Sequence, residues 1–110
     1  MKTRYKIIYS PEALDDLRSI YLYIAEELLA EQAAANQVSR IRKEIRRLDI
    51  FPEKHEFVEW EPWHSMGMRW FPVNNYNVYY LIEEQGETVS IVRIFYGGRD
   101  IEHIIRDNLE

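Results

Sequence analysis

The 110-residue sequence contains no cysteine and no long apolar run. The absence of cysteine excludes disulfides, thiolate metal sites and a cysteine nucleophile. No apolar run approaches the roughly 20 residues of a membrane span, and the first ten residues lack the apolar stretch of a signal peptide. We therefore expect a cytoplasmic protein that does not act on membranes. Repeats, low-complexity tracts and linkers are also missing, which predicts a single domain over residues 1–110.

Residues that would hold a metal, a nucleotide or an acyl intermediate are scarce as well. The three histidines, His55, His64 and His103, fall in different predicted elements and lack metal-ligand spacing. No serine lies in a nucleophile-elbow context. The glycines Gly97 and Gly98 are too few for a phosphate-binding loop and more simply make a tight turn. We expect neither a metal nor a cofactor.

Charge is plentiful but unevenly distributed. The net charge of −5 counts against nonspecific nucleic-acid binding, because dedicated nucleic-acid binders are usually basic. Basic residues nevertheless concentrate in two places, which are solvated helix faces or contacts with a target or a nucleic acid. The first group comprises Arg40, Arg42, Lys43, Arg46 and Arg47, and the second comprises Arg99, His103 and Arg106.

The N-terminal half predicts a strand followed by two helices. Residues 5–9 are β-branched and aromatic, as in strands. Ser10 and Pro11 then mark a helix start, because serine caps free amides and proline suits the first helical position. A second helix is predicted over residues 33–48, and Pro52 is expected to end it. The predicted apolar stripes are Leu14, Leu17, Tyr21, Ile24 and Leu28 in the first helix, and Val38, Ile41, Ile45 and Leu48 in the second.

The C-terminal half predicts an antiparallel β-meander. After an irregular stretch over residues 53–68, three strands are expected over residues 69–73, 77–82 and 88–96, joined by turn-prone Asn and Gly residues. A short last helix is expected after Asp100. The fold class is therefore α+β, with the helical pair covering one face of a twisted antiparallel sheet.

Two arginines are the first candidates for chemistry. Arg69 opens one predicted strand and Arg99 follows another, so these strand ends are expected to be neighbours around one phosphate or carboxylate pocket. With His64 or Tyr96 as proton-transfer group, such a pocket would cleave RNA. The alternative is that both arginines pair structurally with acids. The tryptophans at positions 60, 63 and 70 are expected in the core or at an interface rather than stacked on bases.

A succession of segments carries a family resemblance, and in chain order they are residues 9–13, 16–17, 20, 23–24, 67–69, 71–73, 75–76, 78–80 and 92–101. Through these segments nearly the whole chain resembles the RelE/ParE superfamily, the toxins of bacterial type II toxin–antitoxin modules. The resemblance implies a long helical hairpin against an antiparallel sheet, which agrees with the predicted element order.

What the resemblance implies about activity depends on the branch of the superfamily. RelE-like members cleave messenger RNA in the ribosome, whereas ParE-like members inhibit DNA gyrase. Here Asn77 stands where the RelE-like group has an arginine and Ile105 where it has a late tyrosine, whereas Arg99 matches the arginine after the last strand. The resemblance therefore favours a ParE-like gyrase inhibitor, with mRNA cleavage as the alternative.

The resemblance also implies partners. A cognate antitoxin is expected to wrap the toxin, and the two proteins can form a higher-order assembly. The physical counterpart in this sequence is an expected apolar groove beside the helical pair, which a partner helix would fill. A scaffold that has lost toxicity is a third possibility.

Overall fold

The computed structural model describes residues 4–97 and Ile105, which form four strands and three α-helices. The predicted strand–helix–helix–three-strand order is confirmed. The last predicted helix lies outside the described residues, except for Ile105, which is helical and buried. The elements are β1 (Lys6–Tyr9), α1 (Pro11–Leu22), α2 (Glu31–Arg46), α3 (Trp63–Met66), β2 (Arg69–Val73), β3 (Tyr76–Glu83) and β4 (Thr88–Tyr96).

Ser10 sets the start of α1, as predicted. Its hydroxyl oxygen accepts a 2.9 Å hydrogen bond from the Ala13 amide, and Pro11 occupies the first turn. The same hydroxyl donates to the Val92 carbonyl at 2.8 Å. One side chain therefore both caps the helix and ties its first turn to β4.

The buried face of α1 differs from the predicted stripe. Leu17 is buried as expected, but Leu14 and Leu28 are 47% and 56% exposed. Ala13 and Ile20 are buried instead. Ile24, which belongs to the predicted stripe, is partly buried against the same core. The buried side of α1 therefore overlaps the predicted stripe but is centred to one side of it, and Leu14 and Leu28 face outward.

A short turn joins α1 to α2. The chain leaves α1 through a π-helical turn, Tyr23–Glu27, and reverses at Leu29, whose φ is +53°. Then α2 begins at Glu31 and continues into a 3₁₀ turn, Arg47–Asp49, so that the second helix ends three residues before Pro52. The predicted stripe of α2 is confirmed. Its members Ile41, Ile45 and Leu48 are fully buried, and Val38 is partly buried.

The sheet has the order β1–β4–β3–β2. The three C-terminal strands pair antiparallel, as predicted. The first strand lies parallel to β4 and pairs only with its first half, from Thr88 to Ile91. Beyond Ile91 this edge of β4 faces the start of α1. A register shift between Tyr79 and Tyr80 bends the β3–β4 pair.

Both faces of the sheet carry apolar clusters. The larger cluster lies between the sheet and the two helices and includes Leu17, Ile41, Val78 and Ile91. The smaller cluster lies on the opposite face, where the irregular segment covers part of the strands. Its buried members are Val58, Trp63, Met68, Tyr79, Phe95 and Ile105.

Candidate functional site

Arg69 anchors the irregular segment to β2. Its Nη1 donates to the carbonyls of Glu53 at 3.1 Å and His55 at 2.6 Å, and its guanidinium carbon lies 4.0 Å from the centroid of the Phe57 ring. The segment also continues the sheet for one residue, since Phe57 bridges Arg69 antiparallel. The side chain expected to hold a phosphate, or else to pair with an acid, therefore makes its contacts with carbonyl oxygens and an aromatic ring.

His64 lies near Arg69 but also makes a structural contact. It is an exposed residue of α3, and its Nδ1 is 2.8 Å from the carbonyl oxygen of Val58, which makes Nδ1 the protonated donor. Its ring meets the Phe57 ring edge-on at 6.4 Å. Arg69 and His64 therefore have the Phe57 ring as a common neighbour.

Tyr96 lies at the other end of the sheet. Arg69 pairs with Tyr80, whereas Tyr96 pairs with Tyr76, and β3 lies between β2 and β4. Four residues along the strand and two strand spacings amount to roughly 16 Å between the two backbone positions. The expectation that the start of β2 and the end of β4 are neighbours is therefore wrong. The reason is topological, because both strands run in the same direction on either side of β3.

Tyr96 forms an aromatic pair with Tyr76. The centroids of the two rings lie 5.9 Å apart in an edge-on arrangement. Burial raises the pKa of Tyr76, and the neighbouring phenols of Tyr96 and Tyr23 raise it further. The raised pKa of Tyr76 disfavours its phenolate form.

Arg93 is a charged residue of β4 that was not among the candidate site residues predicted from the sequence. Its Nε and Nη2 donate to the two carboxylate oxygens of Asp16 at 2.8 and 3.0 Å, and the Ile94 amide donates to the same carboxylate at 2.8 Å. The hydrogen bonding of Arg93 to the Asp16 carboxylate is the main cause that raises the pKa of Arg93. No spacing in the sequence indicates this pair, since 77 residues separate its members.

The five basic residues of the first cluster occupy the outer side of α2 and its last turn, and all are exposed. Arg42 lies over the Tyr9 ring at 5.0 Å, and Arg47 meets Glu44 at 3.4 Å. Arg40, Lys43 and Arg46 form no ion pair with any described residue. We call Arg40, Arg42, Lys43, Arg46 and Arg47 the basic face of α2.

Two adjoining pockets of about 280 Å³ each lie on the sheet face opposite the helices. They share Trp70 and Asn77, and together they form a channel from the irregular segment to the end of β4, which we call the aromatic groove. Of the three tryptophans, Trp63 is buried in the small core as expected, whereas Trp60 and Trp70 are only partly buried. The groove is lined by Glu56, Phe57, Val58, Glu59, Trp60, Trp70, Pro72, Asn74, Asn75, Asn77, Tyr79, Tyr96 and Gly97.

His55 and Tyr80 support the segment that Arg69 anchors. The His55 ring stacks on Phe71 with centroids 4.5 Å apart, and burial is the main cause that lowers the pKa of His55. The buried Tyr80 hydroxyl donates to the Pro52 carbonyl at 2.6 Å, and burial raises its pKa strongly. Burial favours the neutral form of both side chains. The sequence indicated neither of them as a site residue.

The remaining candidates lie outside the described residues. They are Arg99 and Arg106, with His103 beside them. Within residues 4–97 and at Ile105, no three His, Asp or Glu side chains form a group that could hold a metal ion. No helix in the same part of the chain combines the length and apolarity that crossing a membrane requires.

Comparison with known proteins assigns the family. Residues 7–101 match the family described as the ParE toxin of type II toxin–antitoxin system, parDE. No curated protein sequence matches the chain. A chain of the chromosomal ParDE system from P. aeruginosa is similar in structure, with a TM-score of 0.69 at 19% identity, covering 84% of this chain and 96% of that chain.

Two further structures share the fold at low identity. One is a chain of the toxin–antitoxin complex RelBE2 from Mycobacterium tuberculosis, with a TM-score of 0.61, 17% identity and coverage of 86% of this chain and 92% of that one. The other belongs to the RelE–RelB complex from Pyrococcus horikoshii OT3, with a TM-score of 0.58, 15% identity and coverage of 88% and 99%. Because the family match spans most of the sequence, this chain belongs to the family of ParE toxins of type II toxin–antitoxin systems.

Proposed function

We propose that this ParE-family toxin acts by binding and inhibiting DNA gyrase, and that a cognate antitoxin neutralises it. The observation that supports binding over RNA cleavage is the engagement of Arg69 and His64 with backbone carbonyls. A group that stabilises a cleaving phosphate must be aimed at that phosphate and not at the protein's own backbone. The distance between Arg69 and Tyr96 along the sheet supports the same choice.

The basic face of α2 is the proposed contact with the target. It presents five exposed cations along α2 and at the start of the 3₁₀ turn that follows it, in a chain whose net charge is −5. A cluster of one sign on an oppositely charged protein orients its approach to an acidic surface. Fixing these side chains on a helix keeps them in register for that surface.

A two-part assay separates gyrase inhibition from mRNA cleavage. The full chain is added to purified gyrase with relaxed plasmid, and in parallel to a translation extract. We expect supercoiling to stop and the messages to remain intact. Intact supercoiling together with messages cut on the ribosome would refute the gyrase proposal.

One observation favours the alternative, ribosome-dependent mRNA cleavage. Arg69 and His64 both contact Phe57, at 4.0 and 6.4 Å, so a cation and a proton-transfer group lie on the same surface. Under that alternative, Arg69→Ala, His64→Gln and Arg99→Ala each abolish message cleavage in folded protein. Under the gyrase proposal, the two variants at Arg69 and His64 still inhibit supercoiling at concentrations where circular dichroism shows them folded.

The antitoxin is proposed to cover the outward side of the helical pair. Leu14 and Leu28 are about half exposed, and Tyr21 is partly exposed. These three residues are seven positions apart, which is a spacing that a partner helix contacts along one side. Two of the structurally similar chains come from toxin–antitoxin complexes. The test is co-purification with the product of the neighbouring reading frame. We expect Leu14→Glu to abolish the complex and Asp15→Lys, an exposed neighbour, to preserve it.

A further inference from the structure

We propose that the aromatic groove binds an arginine side chain presented by a peptide segment of a partner protein. This inference concerns the sheet face opposite the helices and does not depend on the target proposed above. The argument uses the groove's aromatic walls, its charge and the geometry of the sheet edge beside it.

The walls of the groove are aromatic and held in place. Trp60 stacks on the buried Trp63 with ring centroids 4.8 Å apart, and it meets Tyr79 edge-on at 6.5 Å. Trp70 pairs with Tyr79 across β2 and β3 and is shared by both pockets. Indole rings that are already fixed by packing lose little conformational entropy when a planar cation stacks on them.

The charge of the groove selects a cation. Glu56 and Glu59 line it and are exposed. The Arg69 guanidinium lies over the lining Phe57 ring, but its Nη1 is bonded to the carbonyls of Glu53 and His55. A guanidinium can lie on an indole face and donate two hydrogen bonds to a carboxylate at the same time. The fold already contains this chemistry, since Arg69 lies over Phe57 and Arg93 over Phe95 at 4.0 and 4.2 Å.

The neighbouring sheet edge favours recognition by side chains over strand addition. The outer edge of β2 is occupied at its start, where Trp70 donates to the Glu56 carbonyl and Val58 donates to the Met68 carbonyl. Further along, Pro72 offers no amide. A partner peptide therefore cannot extend the sheet along β2 and must be held by its side chains in the groove. Asn75 lines the far pocket and is exposed, so its side-chain amide can bond the peptide's backbone.

The test uses a short probe and the full chain. The probe is acetyl-Gly-Gly-Arg-Gly-Gly-amide, and its matched control carries citrulline, which has nearly the shape of arginine but no charge. Binding is followed by the amide and indole signals in ¹H–¹⁵N NMR spectra. We expect the arginine peptide to shift the indole signals of Trp60 and Trp70 and the citrulline peptide to leave them in place.

Charge variants test the acidic wall without disturbing the small core. Glu56→Gln combined with Glu59→Gln should lower the affinity for the arginine peptide about fivefold. The control pair is Glu83→Gln with Glu84→Gln, at two exposed positions where β3 ends and the next turn begins, and it should leave that affinity unchanged.

Three outcomes would overturn the proposal. The first is equal shifts from the citrulline peptide. The second is a single-stranded RNA oligonucleotide that shifts the indoles while the arginine peptide does not. The third is a set of shifts that depends on protein concentration alone, which would assign the groove to a second copy of the chain. Loss of gyrase inhibition in the Glu56 and Glu59 variants is not required, so the two proposals fail separately.

Discussion

The carboxylate of Asp16 on α1 binds Arg93 of β4 in bidentate fashion. It also accepts a hydrogen bond from the Ile94 amide, so that three donors meet one side chain. The pair lies where β1 has ended and the edge of β4 would otherwise present an unpaired amide. The Asp16 side chain is only 13% exposed and that of Arg93 26%. Asp16 therefore completes the sheet edge and commits the Arg93 guanidinium to a structural role.

Replacing Asp16 should destabilise the fold. We expect Asp16→Asn to lower the free energy of unfolding by about 2–3 kcal/mol, because it removes the charge that pairs with a partly buried guanidinium and turns one of the two acceptor oxygens into an NH2 donor. Urea denaturation followed by circular dichroism measures this change. Asp15→Asn, at an exposed neighbouring position, should change it by less than about 0.5 kcal/mol. Equal effects of the two variants would contradict the role assigned to Asp16.

Ser10 can be dissected because its hydroxyl accepts one hydrogen bond and donates another. Ser10→Ala removes both the cap on α1 and the bond to the Val92 carbonyl, and we expect a loss of about 1–2 kcal/mol in unfolding free energy. Ser10→Asp keeps a cap acceptor but has no proton for Val92, so it should recover only part of that loss. Thermal denaturation orders the three proteins. Full recovery by Ser10→Asp would show that the bond to β4 contributes nothing.

His55 should make the fold sensitive to mild acid. Its pKa is lowered in the folded state, mainly by burial and also by Lys54 and Arg69, so the unfolded chain binds the proton more readily. Its contribution to stability is therefore complete above the ordinary histidine pKa of about 6.5 and is lost as the pH falls below it towards the folded value. In His55→Phe, which keeps a ring against Phe71, the free energy of unfolding should fall less between about pH 7.5 and pH 5. Parallel pH profiles of the two proteins would contradict the prediction.

The basic face of α2 should matter for the target and not for the fold. Lys43→Glu combined with Arg46→Glu is expected to weaken gyrase inhibition by about tenfold, with the effect shrinking as salt is added. The melting temperature should fall only slightly, since neither side chain is buried and the only expected cost is the lost interaction of two cations with the C-terminal end of the α2 dipole. Lys6→Glu on β1 combined with Arg18→Glu on α1 makes the same change in net charge at exposed positions outside this face. If both pairs weaken inhibition equally, net charge and not the basic face governs the contact.

Local sequence signals predicted most of the fold. The bounds of β2 and β4 agree with the expected strands, because their β-branched and aromatic runs end at turn residues. The start of α1 follows from Ser10 and Pro11. The apolar stripe of α2 follows from helical periodicity. The stripe of α1 was predicted in part. Leu17 and Ile24 pack on the core, but Ala13 and Ile20 are buried while Leu14 is exposed, because periodicity gives weight to large apolar side chains and the core also accepts a small one.

The candidate site was less predictable. Arg69 and His64 both lie beside Phe57, but their polar contacts are with backbone carbonyls, and no signature in the sequence indicates those contacts. The separation of Arg69 from Tyr96 follows from which strands pair, and hydrophobic alternation does not encode that order.

By itself the sequence determined the element order, the α+β class and the resemblance to this toxin family, because these follow from local propensity and from residues in a fixed succession. Only the tertiary structure decided which arginines bond to other parts of the chain and which leucines are left exposed. It also decided that Trp60, Trp70 and Asn77 line one pocket. The physical reason is that contacts across many residues depend on strand order and helix rotation. Those are set by the packing of the whole core and not by any one segment.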